Sequence, residues 1–134
     1  MIDLHTHSTF SDGSFTPEQL AQEAAFASLS AVALTDHDSI EGVPRFLDAC
    51  RAAQVRGVPG VELSAEFQDG TMHVLGYFID LQHPELTARL REIRAGRVAR
   101  NKEILKHIND MGLALTMPEV AAYAGGDNIG RLHF

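Results

Sequence analysis

The sequence holds a single cysteine, Cys50, among 134 residues. It therefore forms no internal disulfide and has no CxxC pair with zinc-site spacing. Within "FLDACRAA" that residue reads as a small side chain on a helix, not as a nucleophile. No apolar run approaches the roughly 20 residues that cross a bilayer. The opening "MIDLHTH" lacks the basic n-region and long apolar h-region of a secretory signal, so the expected compartment is the cytoplasm. Positive charge is scarce: 11 Lys and Arg stand against 18 Asp and Glu, a formal net charge of −7. That balance argues against broad DNA or RNA backbone binding. It leaves room for a phosphorylated substrate, because bound divalent ions reverse the local sign where acids cluster. There is no internal repeat or low-complexity run. What remains is a globular composition, 45% hydrophobic and 22% charged, long enough for one ordinary domain with a real core.

Along the chain, "MIDLHTH" alternates apolar and polar residues and predicts a short buried strand ending near His7. "STFSDGSF" is a loop with turn chemistry at Asp12-Gly13. "TPEQLAQEAAFASL" predicts a helix with Thr16 as N-cap, Pro17 in the first position and Gln19 closing a capping box. Leu20, Ala24 and Ala27 form its expected apolar stripe. "SAVALTDHD" predicts a second buried strand, "SIEGVPRFLDACRAAQVRG" a helix stopped by Gly57, "VPGVELSAEF" a third strand and "GTMHVLGYFI" a fourth. Strand–helix–strand–helix–strand implies right-handed parallel βαβ units. After Asp80 the pattern becomes helical: a long amphipathic stretch to Gly112, which Gly96 could interrupt, then a short helix with a Thr116–Glu119 capping box.

The chemistry-bearing residues gather at strand ends. His5 and His7 end the first strand, Asp36, His37 and Asp38 the second, and Glu62 the third, while His73 lies within the fourth. In parallel α/β architectures ligand groups collect on that rim. His-x-His on a strand aims both rings to one face, and imidazole with carboxylate suits zinc, manganese or iron better than calcium or magnesium. More than four such ligands imply more than one ion, and paired ions hydrolyse phosphate esters. Plainer readings stand beside this one. Asp12 serves equally as a turn residue before Gly13, Asp36 and Asp38 as caps of the following helix, and His73 as a core histidine. Glu62 is the strongest single case, since an acid between Val61 and Leu63 is an odd choice for a buried strand. His83 and His107 read as surface residues. Arg97 and Arg100 share a face of the long helix, where arginine suits bidentate phosphate contacts, although most of that helix's basic residues read as a solvated face.

"DLHTHSTFSDG", "ALTDHDSIEG", "GVELS" and "HVLGYF" closely resemble, in order and spacing, successive motifs of the PHP (polymerase and histidinol phosphatase) superfamily. The likeness is greatest to its stand-alone phosphoesterases acting on nucleoside 3′,5′-bisphosphates and RNA 5′ ends. It implies an α/β fold: the N-terminal part of a distorted (β/α)7 barrel, residues 1–80, with a helical insertion over 81–134 that carries substrate contacts. It also implies two or three divalent ions (Mn, Zn or Fe). His5 and His7 would ligate one ion with Glu62 bridging, His73 would serve the second, and Asp12 and His37 a third. Arg97 and Arg100 would contact substrate. Arg131 and His133, in "IGRLHF", would face the substrate phosphate and stabilise its charge in catalysis, with Leu132 where relatives often have proline. Relatives continue past this motif to a further His and an Asp-x-His pair; the expectation is a fragment of a longer protein, a partner chain that supplies the rest, or a truncated form with an incomplete site, and an open barrel edge would invite self-association.

The expected function is thus a metal-dependent phosphoesterase that hydrolyses a phosphate ester of a nucleotide or short RNA with metal-activated water. Two alternatives stand: a non-catalytic metal- or nucleotide-binding module, and a different hydrolase of amidohydrolase type, which also opens with His-x-His. The basic helix, Arg131 and the Thr35–Asp38 cluster favour a phosphate substrate.

Overall fold

The computed structural model describes residues 1–67, 70–124, 129–130 and 133–134. It comprises two compact units, residues 1–82 and 83–134. The first holds strand β1 (Ile2–Thr6), helix α1 (Pro17–Phe26), strand β2 (Ala31–Leu34), helix α2 (Val43–Ala52), and strands β3 (Arg56–Phe67) and β4 (Gly70–Tyr77). The second holds helices α3 (Pro84–Asp110) and α4 (Met117–Ala124).

The sheet order is β1-β2-β3-β4. β1 with β2 and β2 with β3 are parallel, as the helix-bearing connections require. β3 and β4 form an antiparallel hairpin, with Gly60 opposite Tyr77 and Phe67 opposite Gly70. β1 and β4 are separated by three strand spacings, about 14 Å in a flat sheet. The Tyr77 hydroxyl nevertheless donates to the Leu4 carbonyl at 2.9 Å, so the sheet is strongly curled.

α1 starts as its sequence dictates. Thr16 Oγ1 accepts from the Gln19 amide at 3.3 Å, and Gln19 Oε1 accepts from the Thr16 amide at 2.9 Å. Its buried stripe is Pro17, Leu20, Ala21 and Ala24; Ala27, expected there, is instead the exposed C-cap. With Val32, Leu34, Val43, Phe46, Cys50 and Val55, Leu20, Ala21 and Ala24 form the core, and Leu29, Ile40, Leu47 and Leu81 pack around it. Cys50 is buried on α2 as a small apolar residue, and burial pushes its thiol up to about 11.

Gly57 does not stop α2. The helix caps at Ala53, Gln54 takes the left-handed turn at φ 57°, and Gly57 lies in β3. There a Cβ would come within 3.0 Å of Leu47 and Cys50, so glycine lets α2 lie close on the strand. β1 is not buried either: Ile2 is 60% exposed. Alternation predicts a two-sided strand but not what covers each side. α3 runs unbroken through Gly96 and ends in a Schellman motif at Gly112, φ 88°. The Gly112 amide bonds the Asn109 carbonyl and the Leu113 amide the Ile108 carbonyl. Among the described residues no helix is long and apolar enough to cross a membrane.

Candidate metal centre

Six side chains of the first unit converge. β1 and the residue after it supply His5 and His7, the following loop Asp12, the extension of β2 His37, β3 Glu62 and β4 His73. Each is delivered by a different local device. The β1–β2 register shifts between Asp3 and Thr6, and such an irregularity re-aims the side chains beyond it. His37 forms an isolated parallel bridge with Glu62, continuing the β2–β3 pairing past Leu34. Glu62 is not at the end of β3 as expected. It stands mid-strand, where parallel pairing with β2 gives way to the hairpin with β4. His73 belongs to the amino-terminal half of an antiparallel strand, so it joins the rim from the opposite chain direction. Curling of the sheet lets His5 and His73, from the two edge strands, reach the same carboxylate.

That carboxylate organises the cluster. Glu62 Oε2 lies 2.8 Å from His5 Nε2, 3.2 Å from His7 Nε2 and 3.6 Å from His37 Nδ1; Oε1 lies 2.6 Å from His73 Nδ1. Asp12 spans a second gap, Oδ1 3.5 Å from His7 Nδ1 and Oδ2 3.5 Å from His37 Nε2. The rings of His7 and His37 stack with centroids 4.7 Å apart. Burial pushes the Glu62 carboxyl upward, but the His5 and His73 hydrogen bonds and the neighbouring imidazole charges prevail and hold it below its ordinary value. Burial lowers the His37 imidazole below its ordinary value against the pull of Asp12 and Glu62, favouring the neutral form that can ligate.

Three triads have donor atoms within 4.8 Å of one another: His5–His7–Glu62, His7–Asp12–His37 and His37–Glu62–His73. Two features fit these residues to divalent ions. The His37 Nδ1 atom is buried with no hydrogen-bond partner among the described residues, a costly arrangement unless something else accepts its lone pair. Several donor gaps, 3.2–3.6 Å, are long for hydrogen bonds. They match the roughly 3.4 Å between two ligands that each stand about 2.1 Å from one tetrahedral ion. His7, His37 and Glu62 each belong to two triads; a neutral imidazole has one lone pair and serves one ion, so of the three only the Glu62 carboxylate has the capacity to serve two.

Asp36 and Asp38 do not cap α2, whose N-cap is Gly42 without a side-chain bond. Asp36 is buried and turns back to the loop after β1. It accepts from the Ser8 amide at 2.7 Å, the Ser8 hydroxyl at 2.7 Å and the Ser11 hydroxyl at 2.6 Å. Burial pushes its carboxyl above the ordinary value, against those three bonds. Asp38, at φ 51°, accepts from the Ser64 amide at 2.9 Å. The supporting role of Ser8, Ser11 and Asp36 was missed from sequence; its signal was an acid directly following the apolar run "AVALT".

The remaining expected residues lie in the second unit. Arg97 and Arg100 stand three residues apart on α3, half-buried and exposed respectively. His133 is half-buried, and its Nδ1 accepts from the Gly130 amide at 2.9 Å, which leaves Nε2 to carry the proton of the neutral ring. Arg131 lies outside the described residues. His83 and His107 are exposed, as expected.

Residues 3–123 match the PHP domain. The chain belongs to the PHP domain family. It is similar to the 3′,5′-nucleoside bisphosphate phosphatase of Chromobacterium violaceum, 36% identical over 137 residues that cover 99% of this chain and 47% of that protein. It is also similar to a 5′-3′ exoribonuclease of Haemophilus influenzae, 33% identical over 132 residues covering 98% of this chain and 48% of that protein. Among solved structures, an amidohydrolase from Chromobacterium violaceum with bound sulfate and no metal aligns with a TM-score of 0.91 and 33% identity, over 98% of this chain and 47% of its own. This PHP domain chain thus spans about half the length of the relatives it matches, and its mixed sheet and helices correspond to part of their barrel.

Proposed function

We propose that the six-residue cluster is the metal site of a metal-dependent phosphoesterase acting on a nucleotide or short RNA, of the 3′,5′-bisphosphate type. The observation that carries this reading is Glu62: a carboxylate only 4% exposed, approached by four imidazoles, with Asp12 closing the far side of two of them. Such a donor set accepts divalent ions such as manganese, zinc or iron. Ions bound there would supply activated water and neutralise the phosphoryl charge.

The chain's own residues have separable tasks. His5, His7 and His73 with Glu62 would hold ions there, and His37 with Asp12 would hold a further one. Arg97, Arg100 and Arg131 bind the substrate's phosphate oxygens, which guanidinium groups take in a bidentate fork. His133, with Nδ1 engaged by the Gly130 amide, donates from Nε2 toward a phosphate oxygen. The names of the related phosphatase and exoribonuclease support a nucleotide or RNA substrate.

The test is phosphate release from a nucleoside 3′,5′-bisphosphate by the manganese-supplemented protein. Turnover that His7→Ala and EDTA both abolish is expected. Undiminished turnover in EDTA contradicts the proposal.

A further inference from the structure

The two ends of the cluster are held by different kinds of bond. On one side, backbone pairing fixes the ligands. The Glu62 amide donates to the Asp36 carbonyl at 3.2 Å, and the Asp38 amide to the Glu62 carbonyl at 2.8 Å. These bonds lock His37 beside Glu62, and the β3–β4 ladder sets His73 opposite Ser64. On the other side, His7 and Asp12 flank a loop that no strand pairing reaches. That loop is organised on Ser8, whose carbonyl accepts the Ser11 amide at 2.9 Å and the Gly13 amide at 3.0 Å. Ser8 in turn is held by Asp36 through its amide and its hydroxyl. Ser11 carries the same anchor to the ligands: besides Asp36, its hydroxyl lies 3.4 Å from His7 Nδ1 and 3.3 Å from Asp12 Oδ1.

We propose that Asp36 is a positioning residue that assembles the His7–Asp12–His37 subsite specifically, leaving the His37–Glu62–His73 subsite to the backbone ladder. The inference rests on the metal-site reading above. It assigns a task to a buried acid that belongs to none of the three triads. The chemistry suits the task. A carboxylate has acceptor capacity for all three donors at once, whereas an amide in its place turns a donor toward at least one of them. Supporting groups of this kind, when altered, commonly cost 10–100-fold in metal affinity.

The experiment is a Mn2+ titration of the metal-free chain, counting bound ions by calorimetry and by electron paramagnetic resonance of free Mn2+. Wild type, Asp36→Asn, Ser11→Ala and His73→Ala are compared, with circular dichroism of each metal-free variant recorded first. Asp36→Asn is expected to weaken one class of ion 10–100-fold while the other stays within about twofold. His73→Ala is expected to weaken the other class. Ser11→Ala removes a single hydroxyl and should weaken the same class as Asp36→Asn in a milder degree; it keeps the test decisive should Asp36→Asn fail to fold. Equal weakening of both classes, or of neither, in a folded variant overturns the inference while leaving the metal site standing. A folded wild type that binds no Mn2+ overturns both.

Discussion

Replacing Glu62 with glutamine keeps its shape and removes its charge, and the structure fixes what should follow. In the metal-free chain the carboxylate accepts two short bonds, from His5 at 2.8 Å and His73 at 2.6 Å. Charge-assisted bonds contribute roughly 1.5–3 kcal/mol each, so about 3–6 kcal/mol is at stake. Against this stands the desolvation of a nearly buried carboxylate, itself several kcal/mol. The two largely offset, so Glu62→Gln should move metal-free stability by no more than about 2 kcal/mol at pH 7. Its acid behaviour should change more clearly. Burial raises the Glu62 carboxyl, but the His5 and His73 bonds and neighbouring charges leave it below its ordinary value. Its stabilisation is therefore present above the unfolded carboxylate pKa and lost as pH falls through the lower folded value. The metal-free variant should show a shallower fall in stability below about pH 4.5 than wild type. With ions the contrast grows. Glu62 is the only carboxylate in two of the three triads, while His7–Asp12–His37 keeps its own. A unit charge pair at 4 Å in surroundings of effective dielectric 20 is worth about 4 kcal/mol, close to a thousandfold in affinity. Thermal unfolding with increasing Mn2+ reads this directly, because an ion that binds only the folded chain raises the midpoint. Wild type should gain several degrees and Glu62→Gln much less. An equal gain in both would refute the reasoning.

Further outcomes follow from the first unit. Cys50, buried and with its thiol pushed up to about 11 from a reference of 9.0, should react with iodoacetamide at pH 8 at least about 100-fold more slowly in native protein than in urea. Between those two values the unfolded chain ionises first, so stability should fall as pH rises from about 9 to about 11. Rapid labelling of the native protein would contradict the burial. Gly13→Ala would drive a methyl into the His7 carbonyl, so the loop must shift; a lower melting temperature and weaker Mn2+ binding are expected, and unchanged values would contradict the loop's packing. Phe46→Ala empties the centre of the core, where Phe46 is 0% exposed, and should cost roughly 3–5 kcal/mol in urea unfolding. A loss below about 1 kcal/mol would contradict that placement.

Much of this was legible in the residues. The Thr16–Gln19 capping box, the two parallel crossovers and the Gly112 stop follow from local chemistry that tertiary contacts leave in force. His5, His7, His37, Glu62 and His73 were readable as one constellation because each sits in or beside a strand signal, whereas Asp12 reads locally as a turn residue and joins them only through the resemblance. What failed depended on partners distant in sequence. The exposure of Ile2 depends on what covers its side of the sheet, which alternation does not specify. Glu62 stands in mid-strand because β3 runs on into its antiparallel ladder with β4, a pairing that the residues around Glu62 do not specify. Asp36 reads locally as a helix cap, and only the fold brings Ser8 and Ser11 to it across 28 and 25 residues. Gly57 looks like a helix stop because a close helix–strand approach and a C-cap ask for the same residue.

The central claim is that six side chains, from strands β1, β3 and β4 and the segments that follow β1 and β2, form a metal site. Elemental analysis of the purified chain, saturated with Mn2+ and then freed of unbound ion, tests it most directly. The account predicts two or three ions per wild-type chain, as expected of clustered ions in phosphoesterase chemistry, and fewer in Glu62→Gln and His7→Ala. A folded wild-type chain that retains none would contradict it.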